Sequence, residues 1–342
     1  MWFVLCINFL WSRILSFIWG GFIILNKKII LALSLFIIIC IASLCVVVAD
    51  SNSSKGSFKD LAAEVSGNDK TGTIILTKDY VNNGSYNGSG IKITGKNLII
   101  KSENGPITID ANNSGRIFDV NNTQNVTFEN IIFKNGNVSG AGGAGVLGDN
   151  SSSAVNCQFE NCRASEFGGA LVGNAVNSTF SGCSAKYHGG AIFQGSARDC
   201  KFNKCFSESC GGAISYNTAV NCNFNDCYAY WQGGCLYQAN AMNCHFVNTF
   251  ASEGGAMYGG SAFGSYFEHC EARNGSGGAI YSGSAIGCNF EACSANNGSG
   301  SAMYGGSAID CNLEKEDATN VDMGSASSSY KFEDSFFSHI FG

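Results

Sequence analysis

A repeat of about 22 residues constrains the fold of this chain more than any other sequence feature. Gly-Gly pairs begin at residues 168, 189, 211, 233, 254 and 277, at intervals of 21, 22, 22, 21 and 23 residues. Between them, the segment Cys-x-Phe-x-x-Cys stands intact at Cys157–Cys162, Cys200–Cys205, Cys222–Cys227 and Cys288–Cys293. Self-similarity at a fixed period of this length is typical of solenoid proteins.

The contents of the repeat indicate which solenoid to expect. Cys222 and Phe224 are two residues apart and therefore lie on one face of a strand. A second short strand follows the second Cys, and a third follows the Gly pair, as in 278–281. No copy has a helical period. Three short strands predict one coil of a parallel β-helix, whose coils pair at about 4.8 Å and stack like residues on like.

Stacking converts positions of the repeat into columns. One predicted interior column contains Phe159, Phe180, Phe202, Phe224, Phe246, Phe267, Phe290 and Leu313. A second contains Leu171, Ile192, Ile214, Leu236, Met257, Ile280 and Met303. An Ala three residues before the first Cys position recurs in all copies and predicts a tight corner, and Arg198 is expected to face outward.

Residues 1–49 are predicted to be a hydrophobic leader rather than part of the fold. Ile29–Ala49 has no charge, follows Lys27 and Lys28, and is long enough to cross a bilayer. Val47–Ala49 also resembles a cleavage site, so a signal peptide and a membrane anchor are both open. Trp2–Leu25 is a second apolar run and a possible second span. Either topology exports the rest of the chain, which predicts a secreted or membrane-tethered protein at the cell surface.

Four further segments follow the leader. Residues 50–72 form a linker and a cap helix, because Ser57–Asp60 has the form of a capping box before the amphipathic segment Leu61–Val65. Residues 73–135 are predicted as irregular opening coils, with Val126–Phe133 as their last strand. Residues 136–313 are the regular repeats, and residues 314–342 are an acidic, Ser-rich tail.

Composition fits an exported, turn-rich β protein. The net charge is −6, with one Pro and 44 Gly, and no basic patch of the kind that binds nucleic acid. Eleven Asn-x-Ser/Thr sequons are typical of an extracellular glycoprotein.

Fourteen of the 17 cysteines lie in the repeats, and twelve of these form two columns. Three states are open for them. They can be small buried side chains, or disulfides between stacked neighbours, which an exported protein permits. A metal site is the third state, although metal-binding cysteines usually have Cys-x₂-Cys spacing rather than the Cys-x₄-Cys spacing of this repeat. We expect buried thiols, with no metal and no cofactor.

The sequence does not predict an enzyme. Glu268, Glu291 and Glu314 share a column, but the same column also holds Ser, Asn and Val. His188, His245 and His269 occupy different columns and have no Ser or Cys partner by spacing. We therefore expect a solvated edge rather than a catalytic site.

The best candidate binding residues are Tyr237, Tyr258, Tyr281 and Tyr304. They follow the interior Leu, Ile and Met column, so strand alternation points them outward. Four stacked tyrosines would form an aromatic ribbon about 15 Å long, suited to a sugar or a protein partner. The alternative is that Tyr merely favours strands and stacks with itself across them.

The repeats resemble those of two families of surface proteins. The Gly-Gly-Ala-Ile elements at Gly189–Ile192, Gly211–Ile214 and Gly277–Ile280 are similar to chlamydial polymorphic outer-membrane proteins. The Lys-Lys leader, the Phe58–Leu61 cap and the Asn-rich opening coils resemble adhesin-like surface proteins of methanogenic archaea. This resemblance covers roughly Asn26–Leu313 and implies an all-β, right-handed parallel β-helix of pectate-lyase type. Cys in place of the chlamydial Asn is one departure, and the absence of a barrel or wall-anchoring module is another.

Together these features predict a non-catalytic, adhesin-like surface protein. Its expected partner is a glycan or protein of another cell, or an envelope component, with the membrane contacted through the leader. A degenerate polysaccharide lyase or hydrolase of the β-helix class and a structural envelope protein are the alternatives.

Overall fold

The computed structural model describes residues 55–313, except residues 68–69, 85, 87, 121–124, 141 and 150, and the backbone of strand Ser329–Phe332. The predicted leader at residues 1–49 and all but that strand of the predicted tail lie outside the described residues, as does Glu314. In the part of the chain that is described, no helix has the length and apolarity needed to cross a membrane.

The fold is a right-handed parallel β-helix of about 11 turns with about 23 residues per coil, which confirms the predicted fold class. Within the described part of the chain, one sheet of 29 strands follows the solenoid, and a second sheet of eight strands runs beside it. Each coil pairs in register with the next, as in the pairs Phe180↔Phe202 and Phe202↔Phe224. The predicted columns therefore exist.

Each coil of the regular repeats contains four strand positions rather than the predicted three. The first position, which follows the Gly pair in most of the regular repeats, comprises these strands: Ile91–Lys92, Phe118–Asp119, Val146–Leu147, Leu171–Val172, Ile192–Phe193, Ile214–Val220, Leu236–Met242, Met257–Tyr258, Ile280–Ile286 and Met303–Leu313. The second position, which carries the recurrent Ala in the regular repeats, comprises these strands: Thr71–Ile75, Lys96–Lys101, Val126–Glu129, Ser153–Val155, Asn174–Val176, Ala197–Arg198 and Ser261–Phe263. In four other coils, the strand that begins at the first position continues through the second position.

The third and fourth positions complete the coil. The third carries the Phe column: Gly56–Ser57, Tyr80–Val81, Ile107–Asp110, Ile131–Lys134, Gln158–Glu160, Thr179–Ser181, Lys201–Asn203, Asn223–Asn225, His245–Val247, Tyr266–Glu268 and Asn289–Glu291. The fourth forms the eight-stranded sheet: Asn137–Val138, Arg163–Ala164, Ser184–Ala185, Phe206–Ser207, Tyr228–Ala229, Phe250–Ala251, Glu271–Ala272 and Ser294–Ala295. Ser329–Phe332 stacks on the end of Met303–Leu313.

The recurrent Ala does not form a corner, and that prediction is wrong. Ala154 and Ala175 lie in the middle of paired second-position strands and are buried. The corner comes two residues later, where residues such as Asn156, Asn177 and Asn221 adopt the left-handed conformation with φ of 52°, 46° and 52°. Asn tolerates this region better than most residues because its short polar side chain bonds locally. The small inward Ala is thus a feature of the core.

The Gly pair is needed for two different reasons. Gly189 has φ of +63°, a conformation that residues with a Cβ rarely adopt. A Cβ on Gly190 would collide with the carbonyl oxygen of Gly212 in the next coil. The first Gly thus supplies a backbone angle, and the second allows two coils to approach closely.

The opening coils differ from prediction in detail. The segment predicted as one strand, Val126–Phe133, is two strands, Val126–Glu129 and Ile131–Lys134. Asn130 separates them with φ of 56°, which turns the chain at a corner. Because apolar residues alternate on both sides of Asn130, the sequence pattern reads as one continuous strand.

The predicted cap helix spans Phe58–Val65, and its capping box is present. The Ser57 amide donates to Asp60 Oδ2 at 2.8 Å, and the Asp60 amide donates to Ser57 Oγ at 3.2 Å. Phe58, Leu61 and Val65 are buried on the first coil. The Tyr80 hydroxyl donates to Glu64 at 2.8 Å and ties the helix to the strand beneath it. The helix covers sheet edges that would otherwise be open to pairing.

The interior is a continuous stack of phenylalanine rings. From Phe159 to Phe290, the rings of successive coils lie 4.8 to 4.9 Å apart and within 9° of parallel. Every ring in this column is at most 2% exposed. The Leu, Ile and Met column is equally buried. Both predicted interior columns are confirmed.

All fourteen cysteines of the repeats are buried, as expected, and are free thiols in this structure. One column consists of the second Cys of the repeat: Cys162, Cys183, Cys205, Cys227, Cys270 and Cys293. Each of these thiols donates to the carbonyl of the interior Phe in the preceding coil, as from Cys183 to Phe159 at 3.5 Å. In the first column Ser178 takes the place of Cys and donates to Ala154 at 3.3 Å. These residues therefore satisfy backbone carbonyls inside the core. Burial raises the pKa of the Cys157 thiol to about 12.

Replacing Phe224 by Ala should lower the free energy of unfolding by roughly 3–5 kcal/mol, because it leaves a cavity in the middle of the ring stack. Reversible chemical denaturation of the full-length protein in detergent measures this. Phe263→Ala is the matched control, because Phe263 points outward and is 40% exposed. Equal losses in the two variants would show that the Phe column does not dominate stability.

Native alkylation should modify few of the fourteen repeat cysteines, since burial removes access and disfavours the thiolate. Cys210, which is 7% exposed, should react first among them. Peptide mass mapping before and after denaturation measures the modified fraction at each position. Disulfide-linked neighbours, such as Cys183 with Cys205, in a non-reducing map would contradict the free-thiol state.

Candidate functional site

The four candidate tyrosines form one straight row on the outside of the solenoid. Successive coils pair Tyr237 with Tyr258, Tyr258 with Tyr281, and Tyr281 with Tyr304. Each follows a buried residue of the Leu, Ile and Met column, and each is itself partly exposed. The predicted alternation thus places these four residues, called here the tyrosine row, side by side on one face.

The rings of the tyrosine row stack on one another. Their centroids are 5.7, 4.9 and 5.1 Å apart, with interplanar angles of 20°, 5° and 30°. Because each inner ring is covered on both faces by its neighbours, a ligand meets ring edges and phenolic hydroxyl groups. Burial raises the pKa of Tyr237, Tyr258 and Tyr281. The hydroxyl groups of these three residues therefore stay protonated at neutral pH and can donate and accept hydrogen bonds.

Aromatic side chains that the sequence analysis did not select extend the row toward the N-terminus. The column changes to Ser215 after Tyr237, but the His188 ring fills the gap and stacks on Tyr237 at 5.4 Å. Phe167 stacks on His188 at 5.8 Å and on Phe193 at 4.9 Å. The tyrosine row, His188, Phe167 and Phe193 together with Tyr216 are called here the aromatic face.

His188 is the one imidazole among these additional residues. Its Nδ1 atom is inaccessible to solvent and has no hydrogen-bond partner. Burial lowers the pKa of His188 below its ordinary value. The ring is therefore neutral at pH 7 and behaves as an aromatic spacer between Phe167 and Tyr237.

Tyr216 differs in orientation from the rest of the aromatic face. Its ring lies at 60° to His188, 86° to Phe193 and 85° to Tyr237, with centroids 5.6 to 5.7 Å apart. Its side chain is 38% exposed, and its φ is +59°. A bulky residue in this region costs of order 1–3 kcal/mol. Beside it lies an open depression of about 410 Å³ lined by Gln194, Tyr216, Asn217 and Gln238.

A short polar row flanks the tyrosine row. Gln232 donates to Glu253 Oε2 at 3.1 Å, and the Cys210 thiol lies 3.9 Å from the side-chain oxygen of Gln232. These residues share the column before the Gly pair with Phe167 and His188. The aromatic face is thus bordered by hydrogen-bonding groups and a single carboxylate along this edge.

Two other outward rows lie on different faces. Phe206, Tyr228 and Phe250 stack at 5.2 and 4.7 Å, and Arg273 covers the Phe250 ring at 3.4 Å. An aliphatic and aromatic row also runs along the second strand position and is 38 to 44% exposed: Met242, Phe263, Ile286 and Ile309. Arg198 shares this column and is exposed, as predicted.

The structure brings together acid and base residues that the sequence analysis treated separately. Glu268 lies between two histidines, with Oε2 3.5 Å from His245 Nε2 and Oε1 3.4 Å from His269 Nδ1. Glu291 is its partner in the next coil. Across the residues that the structure describes, no group of three or more His, Cys, Asp or Glu is arranged to hold a metal ion.

A further cavity of about 390 Å³ lies beside the Asn/Ser-rich segment at the start of the regular repeats. It is lined by Gly88, Ser89, Ser114, Gly115, Arg116, Asn137, Val138, Ser139 and Gly140. The Arg116 guanidinium is 9% exposed and donates to the carbonyls of Gly142 and Gly143 at 2.9 and 3.1 Å. Its role is to hold two neighbouring coils together.

Comparison with known families agrees with the fold. The family described as right-handed β-helix region matches residues 116–263, which include the first half of the tyrosine row. No curated protein and no solved structure matches the chain significantly. The family match therefore supports only the fold, a pectate-lyase-like β-helix. This fold occurs in both enzymes and non-enzymes.

The lowered pKa of His188 predicts that stability decreases as pH falls. In the unfolded chain His188 has its ordinary pKa of about 6.5 and is protonated below that pH. In the folded protein its pKa is lower, so the unfolded state binds more protons and a falling pH favours unfolding. Thermal unfolding midpoints between about pH 8 and pH 5 should therefore fall more steeply for wild type than for His188→Phe. His269→Gln, at an exposed histidine, is the control. Identical slopes for wild type and His188→Phe would contradict the prediction.

Proposed function

We propose that this protein is an exported, adhesin-like surface protein that binds glycan chains without cleaving them. The observation that carries the proposal is the tyrosine row, a line of stacked rings and hydroxyl groups running along the solenoid axis. Ring edges provide apolar contact, and each coil of the row adds one hydroxyl group that can form hydrogen bonds. An extended polysaccharide offers the same alternation of apolar and hydroxylated surface along its length.

The rigidity of the row also supports a binding role. Each Tyr is held by in-register strand pairing, and Tyr237, Tyr258 and Tyr281 have ring contacts on both sides, so little conformational entropy is lost when a ligand binds. The hydrophobic leader predicted for residues 1–49 would deliver this face to the outside of the cell. A glycan of another cell or of the envelope is the corresponding partner.

The test is a glycan array and a whole-cell binding assay on the full-length protein in detergent micelles. Replacing all four tyrosines of the row by Ser should abolish binding, while circular dichroism remains that of a β-helix. Folding should survive because outward cross-strand pairs contribute only about 0.2–1 kcal/mol each. The matched control replaces Phe206, Tyr228, Tyr230 and Phe250 by Ser on another face. Undiminished binding in the tyrosine variant, or equal loss in the control, would overturn the proposal.

A carbohydrate-active enzyme is the second candidate, and the cluster of Glu268, Glu291, His245 and His269 favours it. Glycosidases use a pair of carboxylates as acid, base or nucleophile, and an imidazole can transfer protons. Reducing ends should be assayed on every glycan that binds. Their release by wild type, with loss in Glu268→Gln, would replace the non-catalytic proposal with a catalytic one.

A further inference from the structure

Sugar rings pack best on the face of an aromatic ring, and the tyrosine row offers few such faces. Its inner rings are covered on both sides by their neighbours at 4.9 to 5.7 Å. A glycan lying along the row therefore contacts edges and hydroxyl groups. A stacking contact requires a ring that is turned out of the column.

Tyr216 is such a ring. It lies at about 85° to both Phe193 and Tyr237, so its plane runs along the solenoid axis while theirs cross it. Tyr216 is 38% exposed and is not stacked parallel to its neighbours, so its ring faces are not covered in the way that those of the tyrosine row are. Among the rings of the aromatic face, only Tyr216 has this orientation relative to the column.

The local backbone explains why the ring is turned. Tyr216 lies at the corner between the first and second strand positions of Ile214–Val220, with φ of +59°, and Asn217 follows with φ of +146°. The equivalent corners of the adjacent coils hold Gln194 and Gln238 with φ of 55° and 50°. A left-handed residue directs its side chain away from the strand column, which places these three side chains around one depression.

The lining of the depression indicates the ligand chemistry. Gln194, Asn217 and Gln238 surround Tyr216, so the lining residues include three amides and a phenol and no ionised group. Amide groups both donate and accept hydrogen bonds, as sugar hydroxyl groups require. Ser196 donates to Asn217 Oδ1 at 2.8 Å and fixes this amide with its NH₂ group free to orient toward a ligand. An acidic sugar would find no cation among the lining residues.

We propose that Tyr216 is the stacking platform of a sugar subsite that takes one neutral pyranose unit, with Gln194, Asn217 and Gln238 bonding its hydroxyl groups. The subsite rests on the proposed glycan binding and names its ligand class. The Tyr216 ring lies 5.6 Å from Tyr237, at the N-terminal end of the tyrosine row. One chain can therefore occupy the subsite and continue along the row.

Isothermal titration of the full-length protein in detergent tests the subsite with four probes: cellohexaose, mannohexaose, chitohexaose and hexagalacturonate. At least one neutral probe should bind, and hexagalacturonate should not. Tyr216→Gln should weaken the neutral probe about tenfold, the loss of one aromatic stacking contact. Gln is compatible with this corner, because Gln194 and Gln238 occupy it in the adjacent coils. Tyr216→Phe should retain the affinity within about threefold, since the ring face remains.

Tyr230→Gln is the control, because Tyr230 is 57% exposed on another face and should leave binding unchanged. Wild-type affinity in Tyr216→Gln, with loss in the four-tyrosine variant, would overturn the subsite and leave the proposed function standing. Binding of hexagalacturonate alone would overturn the neutral ligand class. Binding of no probe and no glycan by wild type would overturn both proposals.

Discussion

The whole structure depends on the in-register pairing of each coil with the next. Backbone amides of one coil bond to carbonyls of its neighbour, as in Lys201 to Ser178 at 3.0 Å and Ala213 to Cys235 at 3.0 Å. With the spacing fixed near 4.8 Å, side chains at equivalent positions of successive coils must lie directly above one another. Inside, this produces the Phe stack and the rows of thiols that donate to its carbonyls. A core of this kind has no room for irregularity in the inward positions.

The same constraint shapes the outer surface, where it limits what a ligand can contact. Stacking the tyrosine row makes it continuous and rigid, and it also hides most of the ring faces. A ring face becomes available only where the register of side chains is broken, at a corner such as Tyr216. The regular coils thus supply length and stiffness, while one irregular position supplies a stacking surface.

This division explains how much the sequence could predict. The Phe column, the Leu, Ile and Met column and the tyrosine row repeat many times, so their periodicity identified them directly. His188 and Tyr216 occur once each, and their ring contacts join residues one or two coils apart, so spacing within the repeat did not reveal them. The Ala position was misplaced because a small residue suits both a corner and the interior of a narrow coil. The approach of His245 and His269 to Glu268 depends on side-chain direction, which column membership does not define.

The equivalence of the coils has a consequence for how such a surface can change over generations. Each coil contacts mainly its two neighbours. A duplication of one repeat in the gene would therefore insert a complete coil without disturbing the other coils. A copy of the segment around Tyr258 or Tyr281 would lengthen the aromatic row by one ring, or about 4.8 Å. The length of the aromatic row can therefore change in fixed steps of one coil, while the cross-section of the solenoid stays the same.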